Sequence, residues 1–266
     1  MCQLKSCLVL KDRVYCPDYD SHQDMLDKLG IKDDYLGASK TFVRVELTPP
    51  DGVRWPMEPL DRWTLKVDQD VTPDWWDEEA DRPRVEEAVE EWRREHVFAE
   101  GEHVVKDGKV YAFGSATVEA HNNATVTAWG SATVTACDSA MVKACGSARV
   151  TAYGSATVKA CDSAMVKACD SAMVKACGSA RVTAYGSARV KAHNSATVEA
   201  CDSATVEAHN SATVKAFDSA TVEAHNSARV EACDSATVEA WDGAIGVYPQ
   251  KNKIVYPAGW TAETHD

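Results

Sequence analysis

Three cysteines and one histidine near the N-terminus, Cys2, Cys7, Cys16 and His22, are the first side chains whose types could do chemistry. Thiolates and imidazoles are ligands that zinc prefers, so the four together could form a metal site. Their spacing, C-x4-C-x8-C-x5-H, matches no standard zinc finger. In the alternative interpretation they are ordinary residues of a hairpin and a helix. We favour that alternative and expect no cofactor.

Cys2 could also act as a nucleophile. The "MC" start resembles that of N-terminal-nucleophile hydrolases, in which removal of Met1 leaves a cysteine with its own amine as the base. Gln3 follows, however, and the glycine-containing pattern of the amidotransferases in that class is absent. We therefore expect no catalytic residues and a non-enzymatic protein. A metal-binding or N-terminal-cysteine enzyme domain is the alternative.

The other cysteines occupy one recurring position that also accepts His, Tyr, Phe and Trp. A position that tolerates such exchanges is selected for size and half-burial rather than for disulfide pairing. Sixteen-residue spacings predict that Cys145, Cys161 and Cys177 stack on one another, and that His193, His209 and His225 do the same. A straight row of ligands does not supply a tetrahedral metal site, which favours a packing role at a corner.

Residues 114–241 form sixteen consecutive units of the pattern [GDN]-S-A-x-V-x-A-[CHYWF], and only Asn123 breaks the serine position. Ala, Val and Ala alternate within each unit, so in a strand they line one face. Gly, Asp or Asn followed by Ser is typical of a turn. A strand and a turn every eight residues predict a coil that stacks on itself, which is a β-solenoid.

The length of one coil follows from longer periodicities. The histidines recur every sixteen residues, and the phrase DSAMVKACGSARVTAYGSA begins at Asp138 and again at Asp170. Both spacings fit coils of two units and not of three. We predict a mainly β protein with about eight two-sided coils of 16 residues, whose thin core is stable only through stacking.

The repeats AYGSATV and AYGSARV resemble the GYGST-x-T repeats of bacterial ice nucleation proteins, and the similarity covers only the repeat region. That resemblance implies a β-solenoid of 16-residue coils with an outward Thr-x-Thr pair that orders water. Here the pair occurs only at Thr125/Thr127 and Thr133/Thr135, and long charged side chains replace it elsewhere. Ice or water ordering is therefore an alternative function.

The net charge of −13 disfavours nucleic acid as a partner. Within the repeat, residues 130–193 hold eight cations against three acids, whereas residues 194–241 hold two cations against eight acids. A rod that is basic in one half and acidic in the other could bind a protein partner or associate with itself. Alternatively, the charges only keep it soluble. The candidate interaction residues are Lys143, Lys159, Lys167, Lys175, Lys191, Arg149, Arg181 and Arg189.

Residues 1–105 are predicted to form a small α+β domain. We expect a hairpin around Lys11-Asp12, a helix capped by Asp20 or Ser21 and stopped by Gly30, strands in TFVRVEL and WTLKVDQ, and a helix capped by Asp81. Residues 68–100 are strongly acidic. Trp75 and Trp76 in this segment are either a partner-binding patch or anchors that hold a loop to the core.

The N-terminal region, with DRVYC, DSH and KVDQDVTPDWW, also resembles uncharacterised proteins of phages and prophages. That resemblance implies a host-interaction or anti-defence role. The solenoid is expected over residues 106–241, and residues 242–266 are expected to form a capping hairpin that blocks edge-to-edge aggregation. No apolar run is long enough to span a membrane, and no signal peptide is evident, so we expect a cytoplasmic protein.

Overall fold

The computed structural model describes residues 4–32, 41–51, 59–241, 243–247 and 254–255. The chain divides into two compact units, Met1–Val97 and Phe98–Asp266. We call the first unit the head and the second the solenoid. The division precedes residue 114, where the regular repeat begins, so strands of irregular sequence also belong to the solenoid.

The head is a small α+β unit with an antiparallel sheet in the order β2-β1-β3-β4. Its hairpin and its first helix form as predicted. Leu10 donates to the carbonyl of Arg13 across the turn, at 2.8 Å. Ser21 caps α1 by accepting from Asp24, and left-handed Gly30 ends it. The elements are β1 (Lys5–Leu10), β2 (Val14–Tyr15), α1 (His22–Leu29), β3 (Phe42–Thr48), a 3-10 turn (Leu60–Arg62), β4 (Thr64–Val67) and α2 (Glu78–His96).

The second helix begins earlier than predicted. Asp77, not Asp81, is its N-cap, because the Asp77 carboxylate accepts from the backbone of Glu79 and Ala80. The carboxylate of Asp81 instead accepts from Arg84 and from the backbone of Asp77. Pro83 lies inside the helix. No helix of the described segments is both long enough and apolar enough to cross a bilayer.

The helices of the head lie on opposite faces of its sheet. Leu8 and Leu10 of β1 pack with Met25 and Leu26 of α1. Alternate residues of a strand point to opposite faces, so Lys5, Cys7 and Val9 face the other side. On that side α2 packs against β1 and β2, and the Lys5 ammonium lies 4.7 Å from the centre of the Trp92 ring.

The solenoid consists of two parallel sheets between which consecutive strands alternate, as predicted. The ten-stranded sheet contains β6 (Glu102–Val105), β8 (Thr117–Ala120), β10 (Thr133–Ala136), β12 (Arg149–Ala152), β14 (Met165–Ala168), β16 (Arg181–Ala184), β18 (Thr197–Ala200), β20 (Thr213–Ala216), β22 (Arg229–Ala232) and β24 (Ile245–Val247). The eleven-stranded sheet contains β5 (Val97–Phe98), β7 (Lys109–Ala112), β9 (Thr125–Ala128), β11 (Met141–Ala144), β13 (Thr157–Ala160), β15 (Met173–Ala176), β17 (Arg189–Ala192), β19 (Thr205–Ala208), β21 (Thr221–Ala224), β23 (Thr237–Ala240) and β25 (Ile254–Val255).

Small side chains fill the space between the two sheets. Every Ala-x-Val-x-Ala segment buries its three apolar residues, as in Ala140, Val142 and Ala144, which are at most 3% exposed. The backbone is paired from coil to coil even at the corners, where Ser139 donates to the carbonyl of Asn122 and Met141 to that of Ala124. The thin core is therefore stabilised by hydrogen bonds between coils as well as by burial.

The first residue of each turn adopts a left-handed backbone, which explains its restriction to Gly, Asp and Asn. Asp at this position has a second role. Its carboxylate accepts the otherwise unpaired backbone N–H of the turn one coil earlier, as Asp162 does from Gly146 at 3.0 Å and Asp202 from Gly186 at 2.9 Å. These bonds add side-chain contacts between neighbouring coils.

The sheets continue beyond the regular repeat, so the solenoid has about nine coils. At the C-terminal end β24 pairs in parallel with β22, and β25 with β23. In the described residues these two strands therefore extend the solenoid and do not form the predicted hairpin with each other. The rest of the predicted cap, including residues 256–266, lies outside the described residues.

Candidate functional site

The outward face of the eleven-stranded sheet carries one row of sorted charges. Residues sixteen apart are direct partners in this sheet, so Lys143, Lys159, Lys175 and Lys191 stand side by side on β11 to β17. Glu207, Glu223 and Glu239 continue the same row on β19 to β23. We call the four lysines the basic ladder, the three glutamates the acidic ladder, and this side of the sheet the charged face.

The sign changes between two adjacent strands. Lys191 and Glu207 are register partners, and the Lys191 ammonium lies 2.8 Å from the Glu207 carboxylate. Hydrogen bonding from Lys191 is the main cause that lowers the pKa of Glu207 below its usual value, and His209 adds a second hydrogen bond. The carboxylate at the step is thus held ionised next to the last lysine of the basic ladder.

The corresponding row of the ten-stranded sheet is organised differently. Glu199, Lys215 and Glu231 are consecutive register partners, so acid and base alternate. Lys215 and Glu231 form an ion pair of 3.3 Å. Lys167 stands between Thr151 and Thr183 and lies over the ring of Tyr185. The same repeat therefore alternates its charges on one sheet and sorts them by sign on the other.

The charged face also exposes apolar surface. Met141 and Met173, beside the basic ladder, are 50% and 45% exposed. A shallow depression of about 490 Å³ lies along strands β13 to β19. The side chains around it include Thr157, Lys159, Met173, Lys175, Arg189 and Glu207. The face thus combines lysines and threonines with exposed methionines and Arg189, and of these Met and Arg are the residue types enriched in protein interfaces.

The structure separates the predicted interaction residues into two groups. The four lysines of the basic ladder and Arg189 share the charged face. Arg149, Lys167 and Arg181 point outward from the ten-stranded sheet, where Met165 stands between the two arginines. The basic half of the rod therefore does not form one continuous patch.

Cysteines and histidines share one corner column of the solenoid. Cys145, Cys161 and Cys177 are followed in the next coils by His193, His209 and His225, and Trp241 ends the row. The three imidazoles stack with centroids 4.9 and 4.8 Å apart, which confirms their predicted stacking. Glu207 pairs with His209 and Glu223 with His225, whereas Nε2 of His193 is buried without a hydrogen-bond partner.

The corner thiols have the character of packing residues. All cysteines among the described residues are free, and those of the repeat are half-buried. Burial is the largest cause that raises the pKa of Cys137, Cys145, Cys169 and Cys201 above the usual thiol value. A raised pKa lowers the thiolate fraction and with it nucleophilic reactivity.

The possible zinc set of the head is divided by the sheet. The Sγ atoms of Cys7 and Cys16 are 2.8 Å apart on the α2 side, and burial raises the pKa of Cys7. The ring of His22 belongs to α1, on the opposite side, where its ligand atoms group with those of Glu46 and Asp68. Cys2 lies outside the described residues. The two thiols therefore come together without the histidine.

Trp75 and Trp76 precede the N-cap of α2, and both side chains are half-buried. The backbone of Trp76 donates to the carbonyl of Pro73 at 3.0 Å in a turn. This partial burial is compatible with either predicted role.

The Thr-x-Thr pairs lie on β9 and β10, one in each sheet, so no two of them are neighbours.

Two features of these sites escape a segment-by-segment view of the sequence. The charge row is encoded in the spacing of sixteen residues, but counting charges by segment mixes the two sheets. The grouping of Glu46 and Asp68 with His22 has no local signal, because it depends on the pairing of β3 with β4.

No protein-family model, curated protein or solved structure shows significant similarity to the chain.

Proposed function

We propose that the protein is a non-enzymatic β-solenoid scaffold that acts through protein–protein contacts of its charged face, and that the partner best suited to this face is a second copy of the chain. The observation that carries the proposal is the sorted row from Lys143 to Glu239, seen against the alternating row of the other sheet. Self-association would bring the basic ladder of one copy against the acidic ladder of the other.

Sorting the charges works against the stability of a single rod. Neighbouring strands are about 4.8 Å apart, and two like charges at that distance repel by about 0.9 kcal/mol in bulk water. Alternating charges, as in Glu199, Lys215 and Glu231, would remove this repulsion. A departure from the locally favourable pattern is expected where a surface serves binding.

The register defines how two copies would meet. A two-fold axis parallel to the strands, lying between β17 and β19, makes two rods antiparallel and turns their charged faces together. Lys191 then faces Glu207 of the second copy, Lys175 faces Glu223, and Lys159 faces Glu239. Because consecutive residues of both ladders are one strand spacing apart, all three pairs form together. The two-fold symmetry generates a second set of the same three pairs.

Sedimentation equilibrium of the full chain tests this arrangement. We expect a dimer at low salt that dissociates as ionic strength rises, because salt screens exposed charges. Replacing Lys159, Lys175 and Lys191 by Glu should give a monomer, as should replacing Glu207, Glu223 and Glu239 by Lys. An equimolar mixture of the two variants should form a heterodimer.

Two controls separate this effect from a folding defect. The first control replaces Lys159, Lys175 and Lys191 together by threonine, the residue type that Thr127 already provides in the same row. This variant removes the attraction between the ladders without adding repulsion. Exchanging Lys215 and Glu231 on the other sheet should leave the dimer intact. The pairing would be refuted if the wild-type chain is monomeric at low salt, or if the two charge-exchanged variants do not associate when mixed.

Other roles rest on weaker support. A host-interaction role, implied by the resemblance of the N-terminal region to phage proteins, depends on that resemblance alone. Ice or water ordering would require adjacent Thr-x-Thr strands, and in the described sheets Thr127 has Lys143 as a neighbour and Thr135 has Glu119. The charged face therefore supports the scaffold best.

A further inference from the structure

The first residue of helix α1 lies in a group of possible metal ligands that the solenoid does not involve. The side chain of His22 is 10% exposed. Its Nε2 lies 3.2 Å from the carbonyl oxygen of Val45 in β3, and its Nδ1 lies 3.3 Å from the Asp68 carboxylate. The carboxylate of Glu46 completes the group.

The hydrogen bond to Val45 determines which ring nitrogen carries the proton. A carbonyl oxygen can only accept, so Nε2 of His22 donates, and Nδ1 of the neutral ring presents a lone pair. That lone pair faces Asp68, and an ionised carboxylate also only accepts. Three acceptors, two of them anionic, thus converge. A cation bound between the three groups would offset the repulsion between the two carboxylates and accept the lone pair of Nδ1.

The geometry of the three residues suits a metal ion. Their ligand atoms all lie within 4.8 Å of one another. Two ligand atoms that each lie about 2.1 Å from one ion are at most about 4.2 Å apart, so Asp68, which is exposed, would have to move its carboxylate inward to bring the group to this spacing. An imidazole that donates its second N–H to a backbone carbonyl is typical of metal-binding histidines, because that bond fixes the ring.

The backbone holds the carboxylates beside the ring. Glu46 follows Val45 in β3, and the N–H of Asp68 donates to the carbonyl of Arg44 at 2.9 Å. Two cations lie on the same side of the sheet. Lys66 is the cross-strand partner of Glu46 but forms no ion pair with it among the described residues. The Arg44 guanidinium lies over the ring of Phe42.

We propose that Nδ1 of His22 and the carboxylates of Glu46 and Asp68 bind one divalent first-row transition-metal ion, with water in the remaining coordination positions. One nitrogen and two carboxylate ligands suit Mn²⁺, Fe²⁺ and Zn²⁺ better than the thiol-preferring Cu⁺. The site is independent of the proposed self-association. It also differs from a site built on the head cysteines, because Cys7 and Cys16 lie across the sheet from His22.

Manganese is the best probe, because it prefers oxygen ligands and competes poorly for the corner thiols. The full chain, freed of metal with a chelator, is titrated with Mn²⁺ while the free ion is followed by electron paramagnetic resonance. We expect one site per chain. Asp68→Asn removes an exposed ligand and should weaken binding at least about tenfold. Asp70→Asn changes a nearby exposed carboxylate and should leave binding unchanged.

A second measurement locates the ion. Bound Mn²⁺ broadens nearby proton resonances, so at low occupancy the ring signals of His22 should broaden first among the eight histidines. Three outcomes would overturn the proposal. In the first, the wild-type chain binds Mn²⁺ no tighter than Asp68→Asn does. In the second, Asp70→Asn loses as much Mn²⁺ affinity as Asp68→Asn. In the third, the signals of His209 or His225, which pair with glutamates, broaden before those of His22.

Discussion

At the scale of single residues, the corner column shows how one position accommodates different side chains. Cysteine, histidine and tryptophan occupy it in turn, and each covers the edge of the same thin core. His193 differs from the other two histidines of the stack because its Nε2 is buried and has no hydrogen-bond partner. A proton added to this ring would be poorly solvated.

His193 should therefore make the solenoid sensitive to acid. Burial is the largest cause that lowers its pKa below the usual 6.5, and His209, Lys175 and Lys191 lower it further. The unfolded chain then binds a proton more readily than the folded one, so the stabilisation is complete above about pH 6.5 and is lost as the pH falls below that value. The free energy of unfolding should decrease between about pH 7 and pH 5.

The variant His193→Phe should reduce this dependence on pH, because phenylalanine fills a corner and does not titrate. Urea unfolding at several pH values, followed by circular dichroism, measures the effect. Cys201→Phe introduces a ring at the other corner and should keep the wild-type slope. Equal slopes in the wild type and in His193→Phe would contradict the assignment to His193.

At the scale of secondary structure, each four-residue strand of the repeat turns one face to the core and the other outward. Ala184 on β16 is fully buried between the sheets, and its neighbour Thr183 points outward. Because the core contains only Ala and Val along the repeat, it has little space for a larger side chain. The distance between the two sheets is thereby set by small residues.

Ala184→Leu should destabilise the solenoid by about 1–3 kcal/mol, because the added carbons force neighbouring coils apart. Thr183→Leu adds a similar side chain on the outside and should change stability by about 0.5 kcal/mol or less. The two urea midpoints provide the comparison. Equal destabilisation by both variants would mean that the outward face is as tightly packed as the core.

The repeat could be predicted from sequence because the residues of each unit indicate a strand, a turn and a buried face. The head was predictable where the signals are local, as with Ser21 and Gly30 at the ends of α1. It was not predictable where several residues can cap a helix, as with Asp77 and Asp81. The grouping of His22 with Asp68 depends on strands far apart in sequence, and no local pattern encodes such pairing.

At the scale of the whole molecule, the assignment of strands to sheets depends on counting units. Unit number decides whether a strand joins the charged face or the other sheet, since consecutive strands alternate. The step from Lys191 to Glu207 exists only because two units, and therefore one full coil, separate them. Deleting one unit or two should therefore have different results.

Deletion of residues 194–201, one unit, should leave a folded solenoid but move every later strand to the opposite sheet. The acidic ladder then follows Thr183 instead of Lys191, and self-association should weaken strongly. Deletion of residues 194–209, a full coil, keeps Glu223 and Glu239 in the row and should preserve the dimer. Sedimentation and circular dichroism distinguish these outcomes. Equal association of both variants would show that the sorted row is not the interface.

The repetition of a 19-residue phrase at Asp138 and Asp170 has a consequence for how such a molecule can change over generations. Nearly identical coding segments recombine with one another, and only exchanges of whole coils preserve the two faces. The number of coils, and with it the number of charges in the row, would then be inherited. A lineage could lengthen or shorten its row of charges without inventing a new fold.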